Sequence, residues 1–266
     1  MVNKFKALFI DSFWEIRAGK MLYIYGAVTL FTAFLMAIIP EIKIGGEDIF
    51  NSDMVGEGVI GGISGMFFEQ FIGFMIFLIY LGTAWLIPAF MKKGRIELSL
   101  SKPLSRINLL SMKYISLYLI SIIILTLVSI TVWIVLSLRI DNFDGGIFTS
   151  LIAGYVEFFV IFSIIFAFGV ITRSGSFALM SYFLMKIVSG LLASREVVYS
   201  FVEEGPVTYL LDTLYHIFPK FKDMNTSLMA YIGNEPNIDY YPIWSTLLFA
   251  VVLYAITSWV FQKRDY

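Results

Sequence analysis

Long apolar runs alternate with short charged segments along this chain. Six runs approach the roughly 20 mostly apolar residues that a helix needs to cross a bilayer core. They cover residues 21–39, 70–91, 114–138, 148–171, 177–193 and 242–261, the fifth being the shortest. Residues 4–20 follow another pattern, with Phe5, Leu8, Phe9, Phe13 and Ile16 at three- and four-residue steps and Lys6, Asp11, Glu15 and Arg17 between them. That spacing predicts an amphipathic helix lying in the membrane interface, either as an anchor for the first span or as a partner contact. The pattern as a whole predicts an all-α, polytopic membrane protein. It has six transmembrane helices and one domain over residues 1–266.

Two segments between the runs are too long to be simple turns. Residues 40–69 carry seven glycines from Gly45 to Gly65. Glycine at that density opposes a regular helix, so a flexible loop dipping toward the leaflet is expected. Residues 193–241 are apolar and aromatic but interrupted by Asp212, His216, Pro219 and Lys220. A charged residue at mid-bilayer costs about 2.5–3.5 kcal/mol on insertion scales. A helical hairpin resting in or on the outer leaflet is the better expectation there.

Composition agrees with the pattern. Hydrophobic residues make up 59 % of the chain, charged residues 15 %, and the mean hydropathy is +0.83. The net charge of −1 gives no bulk attraction to nucleic acid. Its distribution is more informative. With six spans, thirteen Lys and Arg fall on one side, including four before the first span and six in the second-to-third loop, against five on the other. The positive-inside rule then places both termini in the cytoplasm of a multi-pass cell-membrane protein. Trp133 and Trp244 fall near the outer span ends, Trp85 and Trp259 near the inner ends, and Trp14 just before the first span. Indoles favour that boundary. The run beginning at Met21 ends at Ile39-Pro40-Glu41 without a small-residue cleavage pattern, so it is expected to be retained.

The basic loop, KKGRIELSLSKPLSRINLLSMKY over 92–114, is too patterned for a mere connector. Ser101 can cap a short helix with Pro103 in its first turn. Lys113 and Tyr114 can fix its exit, and Glu97 and Arg106 offer both signs of charge to a partner groove. Within the spans, Glu157 lies nine residues from the outer end of the fourth and Lys186 nine residues from the inner end of the fifth. At 1.5 Å per residue they sit about 13.5 and 16.5 Å below the outer face. Antiparallel helices would therefore bring them to one depth. A charge pair holding the two spans together is expected, with a polar patch lining a substrate path as the alternative.

Candidate chemistry is sparse. The chain has no cysteine and one histidine, His216, which gives no metal-ligand spacing. Glu203-Glu204 lacks the second histidine that a membrane-protease reading would require, and it reads as a solvated turn before Gly205-Pro206. No GxxxxGK[ST] pattern occurs, so phosphate binding of that kind would fall to another chain.

Four segments carry a resemblance. FIDSFWEIRAGKMLYIYG, GRIELSLSKPLSRINLLSMKY, YHIFPKF and FQKRDY, with six spans, resemble an ABC-2 type transporter permease. The likeness is to the branch that includes the copper-enzyme-maturation permease of nitrous oxide reduction. The second segment is the specific one. The resemblance implies that Gly94, Glu97, Ser101, Lys102, Pro103, Ser105, Arg106 and Lys113 form a coupling loop, and that Glu15 and Arg17 belong to the N-terminal interfacial helix. It also implies a non-catalytic subunit, paired as a homodimer or heterodimer, above cytoplasmic P-loop ATPase subunits that hold ATP and Mg. The expected function is export of a substrate. The alternative is a mechanotransmitter acting on an extracytoplasmic partner. A stand-alone membrane enzyme lacks a convergent nucleophile, base or metal cluster, and a secondary transporter lacks evident inverted repeats.

Overall fold

The computed structural model describes residues 2–38, 43–44, 47–48, 57–92, 94–100, 105–140, 143, 147–199, 205–232 and 236–264. The helices are α1 (Val2–Ala18), α2 (Met21–Ile38), α3 (Glu57–Phe90), α4 (Arg95–Leu100), α5 (Arg106–Ile140) and α6 (Ile147–Thr172). They continue as α7 (Gly175–Ala193), α8 (Arg195–Tyr199), α9 (Pro206–Ile217), α10 (Phe221–Ile232) and α11 (Tyr241–Lys263). A two-residue antiparallel ladder, β1 (Lys43–Ile44) with β2 (Glu47–Asp48), lies between α2 and α3. Among the described residues, five helices are long and apolar enough to cross a membrane, in α3, α5, α6, α7 and α11. A sixth span arises if α1 and α2, bent by 66° at their junction, count as one. The protein is thus a multi-pass, helical membrane protein. The chain divides into two compact units, Met1–Gly82 with Ile115–Gly154, and Thr83–Tyr114 with Tyr155–Tyr266.

In the first unit, the α1–α2 elbow turns at Lys20, whose φ is 59°. A side chain in that left-handed region costs roughly 1–2 kcal/mol. Helix α1 buries Leu8, Ser12, Glu15 and Ile16 and exposes Phe13 and Trp14. The buried stripe therefore takes in Ser12 and Glu15 and leaves out Phe13, unlike the apolar stripe expected from the sequence. Ser12 can be buried because its hydroxyl donates to the Leu8 carbonyl oxygen at 2.9 Å. Tyr25 of α2 reaches α3, donating to the Leu78 carbonyl oxygen at 3.4 Å. Its phenol fills the space beside Gly82, where a Cβ would collide with it. In α5, Ser121, Leu125, Val128, Ser129 and Val132 are buried while Ile123, Leu127 and Ile134 are exposed. Small or polar residues turned inward and large apolar ones outward is the arrangement a bilayer favours.

The second unit centres on α6, where Phe158, every residue from Val160 to Ala167, and Val170 are buried. Tyr114 stands among its rings, with centroids 5.0 Å from Phe162 and 5.0 Å from Phe166, and 4.9 Å from Tyr254 of α11. Its hydroxyl shares a 2.7 Å hydrogen bond with Ser163 Oγ. Helices α6 and α7 meet at a tight turn in which Arg173 has φ 57° and Ser174 Oγ accepts from Phe177 N. Gly175 lets α7 approach α3, since a Cβ there would lie 2.9 Å from both the Ala84 carbonyl oxygen and the Trp85 ring. Helices α9 and α10 form the segment between α7 and α11, α9 packing on α7 and α10 on both. The start of α10 is satisfied by its neighbours: Lys220 N donates to Thr246 Oγ1 and Phe221 N to Ser189 Oγ, each at 3.0 Å. These are N–H groups that a helix end cannot bond internally.

Three expected boundaries move. Helix α3 begins at Glu57, inside the segment expected to be a glycine-rich loop. Each internal glycine costs about 1 kcal/mol relative to alanine, a cost that this long helix absorbs. Helix α5 begins at Arg106, eight residues before the expected span, so Lys113 lies inside a helix. The described residues of the 193–241 segment hold three short helices, α8, α9 and α10, and not a two-helix hairpin alone.

Candidate functional site

Two places in the second unit gather the candidate residues. The first is the loop after α3. Gly94 has φ 84°, a conformation glycine adopts without the penalty other residues meet, and it turns the chain into α4. Ile96 of α4 is 1 % exposed and anchors that short helix, while Arg95 and Glu97 face outward. Ser101, Lys102 and Pro103 lie outside the described residues. The cap of α5 belongs to Ser105, whose Oγ accepts from Asn108 N at 3.3 Å, and Ser105 itself is exposed.

Arg106 is not free for a partner groove. Its guanidinium donates to the carbonyl oxygens of Gln262, at 3.0 Å, and Arg264, at 2.7 Å, at the end of α11. Arg264 in turn donates to the carbonyl oxygens of Val170, at 3.1 Å, and Ile171, near the end of α6. Two arginines thus satisfy carbonyls that helix ends leave unbonded. The result ties α5, α6 and α11 together at one end of the unit. Lys113 is 1 % exposed with its ammonium 5.3 Å from the Phe90 ring centroid, so it braces α5 against α3 and offers nothing to a surface contact. Arg264 was invisible to sequence reasoning except as part of a basic tail.

The second place joins α6 and α7. Lys186 Nζ donates to Glu157 Oε1, and the two side chains remain 36 % and 24 % exposed. The structure brings together the two charges that the sequence sets at matching depth. They face a cleft of about 270 Å3, with Ser189 and Gly190 of α7 on one side and Lys222, Asn225 and Thr226 of α10 on the other. The Lys186 ammonium also stands 4.9 Å from the Phe221 ring centroid. Nothing in the apolar pattern of 177–193 singled out Ser189 or Gly190. The α10 residues become relevant only once α10 packs on α7.

Next to the cleft, α8–α10 hold a network of aromatic and charged groups. Arg195 lies 3.5 Å over the Tyr215 ring and 3.5 Å from Asp212, which also accepts from Tyr199 Oη at 2.6 Å. Tyr215 Oη donates to Asp223 at 2.5 Å. Burial, and secondly that bond, push its phenol up to about 12. Lys220 is 3 % exposed, with its ammonium 4.8 and 5.0 Å from the Tyr215 and Tyr241 ring centroids. Burial holds its ammonium below the usual lysine range, with Asp223 opposing the shift. His216 Nδ1 shares a 2.5 Å hydrogen bond with Tyr241 Oη. No group of three or more metal-ligating side chains occurs among the described residues.

No protein family, curated protein or solved structure matches the chain.

Proposed function

We propose that this chain is the membrane-spanning subunit of an ABC exporter, driven by a separate cytoplasmic P-loop ATPase that holds ATP and Mg. One observation carries the reading. The described residues of the loop after α3 open in a short helix that exposes charge and is anchored by Ile96, and where the chain re-enters α5, Arg106 is bonded to the C-terminal carbonyls. A mechanical coupling element needs such anchored ends, because force is lost where the ends of a loop give way. The Arg106–Arg264 relay ties the start of α5 to α6 and α11. The charged face of Arg95 and Glu97 is the docking surface in this reading, and a second copy of the chain or a sibling completes the membrane dimer.

Affinity purification of the tagged chain from its native membrane in mild detergent tests the proposal. A stoichiometric P-loop ATPase is expected in the eluate, and Glu97→Arg should release it while the permease remains in the membrane at its usual level. A partnerless chain, repeated after crosslinking, would overturn the reading. The mechanotransmitter alternative draws on the exposed Val207, Tyr209, Leu210 and Ile217 of α9. It predicts an extracytoplasmic protein in the same eluate.

A further inference from the structure

We propose that the polar face shared by α7 and α10 is the seam along which a second copy of this chain packs. Glu157 and Lys186 lie well inside the spanning helices α6 and α7, yet 24 % and 36 % of their side chains stay exposed. Helix α10 extends the same surface. Its first N–H groups bond Ser189, four residues before the end of α7, and Thr246, five residues after the start of α11. At 1.5 Å per residue, α10 therefore begins about 6 to 7.5 Å inside the ends of both spans. Lys222, Asn225 and Thr226, at helical spacing along α10, are exposed and line one cleft with Lys186 and Glu157. Hydrocarbon cannot cover such a surface, because ionisable side chains at that depth face protein or enclosed water. Enclosed water needs a wall on every side, and α6, α7 and α10 supply one side only. The facing wall belongs to another chain.

That chain is a second copy because the surface complements itself. Glu157 spends Oε1 on Lys186, and its Oε2 accepts no hydrogen bond among the described residues. The Lys222 ammonium and the Asn225 amide also make no hydrogen bond among the described residues. One patch thus holds an unspent anionic acceptor beside unspent donors. A two-fold axis sets a patch against its own copy, so that each residue meets in the partner what the partner's equivalent meets in it. Lys222 of each copy then faces Glu157 of the other, and each carboxylate has two ammonium groups where the single chain gives it one. The Asn225 amides can bond each other across the axis, as polar side chains do between membrane helices. The seam gives the proposed permease the face by which its second copy joins, but it rests on this polar surface and not on an ATPase.

Thiol crosslinking provides the test, since the chain has no cysteine of its own. Gly190 lines the cleft and a Cβ there meets nothing within 4 Å, so Gly190→Cys leaves α7 undisturbed. Thr226→Cys puts a second probe on α10. Leu184→Cys, exposed but about 120° round α7 from Gly190, is the control. Each full-length variant is treated in its native membrane with a short bis-maleimide, and dimer is read on a denaturing gel. Gly190→Cys and Thr226→Cys should give a crosslinked dimer, and Leu184→Cys should not. Adding Lys222→Glu should lower the dimer yield of Gly190→Cys about tenfold at an unchanged membrane level, because the axis repeats each lost contact. Monomer at both seam positions would overturn the proposal, as would a yield that Lys222→Glu leaves unchanged, or dimer from Leu184→Cys alone. Labelling of Gly190→Cys by an external, membrane-impermeant maleimide without any crosslinking would give the cleft to water and also end it. None of these results bears on copurification of an ATPase, so the seam and the permease reading fail separately.

Discussion

Glu157 and Lys186 can occupy membrane-spanning helices because each removes most of the other's cost. An unpaired charge in that setting must be solvated, neutralised or carried to the interface. Removing one partner of a fully buried pair costs about 3–5 kcal/mol. Here 24 % and 36 % of the side chains remain exposed, so Glu157→Gln or Lys186→Met should each cost about 1–2 kcal/mol. The double exchange Glu157→Lys with Lys186→Glu should recover most of that loss. Melting temperature in detergent reads all three variants. An exchange no more stable than the singles would show that the helices do not depend on the pair. The sequence brought these two residues forward because depth along a helix is a count of residues, and a count survives any packing. Lys220 had no such signal. Its burial between Tyr215 and Tyr241 depends on how α9 and α11 converge, and a lysine that interrupts an apolar, aromatic segment reads as a charge kept at the membrane surface.

At the level of elements, apolar runs located the spanning helices but not the faces they turn inward. Helix α5 carries hydroxyl side chains on more than one face, so its buried stripe of Ser121, Leu125 and Ser129 did not stand out from its exposed Ile123, Leu127 and Thr131. In lipid, outward positions are as apolar as inward ones, and the amphipathic signal of soluble helices is lost. Helix α1 shows the converse. Its polar and apolar positions alternate at helical spacing, but its buried side includes Ser12 and Glu15. Close packing at the α6–α7 turn makes a quantitative prediction. Gly175→Ala would place a methyl group 2.9 Å from the Ala84 carbonyl oxygen and the Trp85 ring. A loss of about 1–3 kcal/mol is expected, as for overpacked cores. Gly190→Ala, on the same helix with open space around it, should be neutral or slightly stabilising. Thermal melts of the two alanine variants separate a packing glycine from a free one.

For the whole molecule, the distribution of basic residues predicts an orientation that chemical labelling can check. The chain has no cysteine, so each introduced thiol reports alone. Glu97 and Asn237 are both exposed and lie on opposite sides in the expected topology. A membrane-impermeant maleimide should label Asn237→Cys in intact cells and Glu97→Cys only after permeabilisation. The reverse pattern would place the loop after α3 outside the cytoplasm and remove it as an ATPase contact. The sequence by itself determined the helical, multi-pass architecture and pointed to the charges on α6 and α7 that meet. Both follow from local quantities, the length of an apolar run and the rise of a helix, that no later packing alters. Only the tertiary structure decided that Arg106 and Lys113 are internal braces, that Arg264 links α6 to α11, and that α10 closes a charged cleft against α7. Those contacts join residues distant in sequence through carbonyls, rings and backbone N–H groups. Every residue carries a backbone and many carry a ring, so no residue type marks in advance which of them a distant side chain will meet.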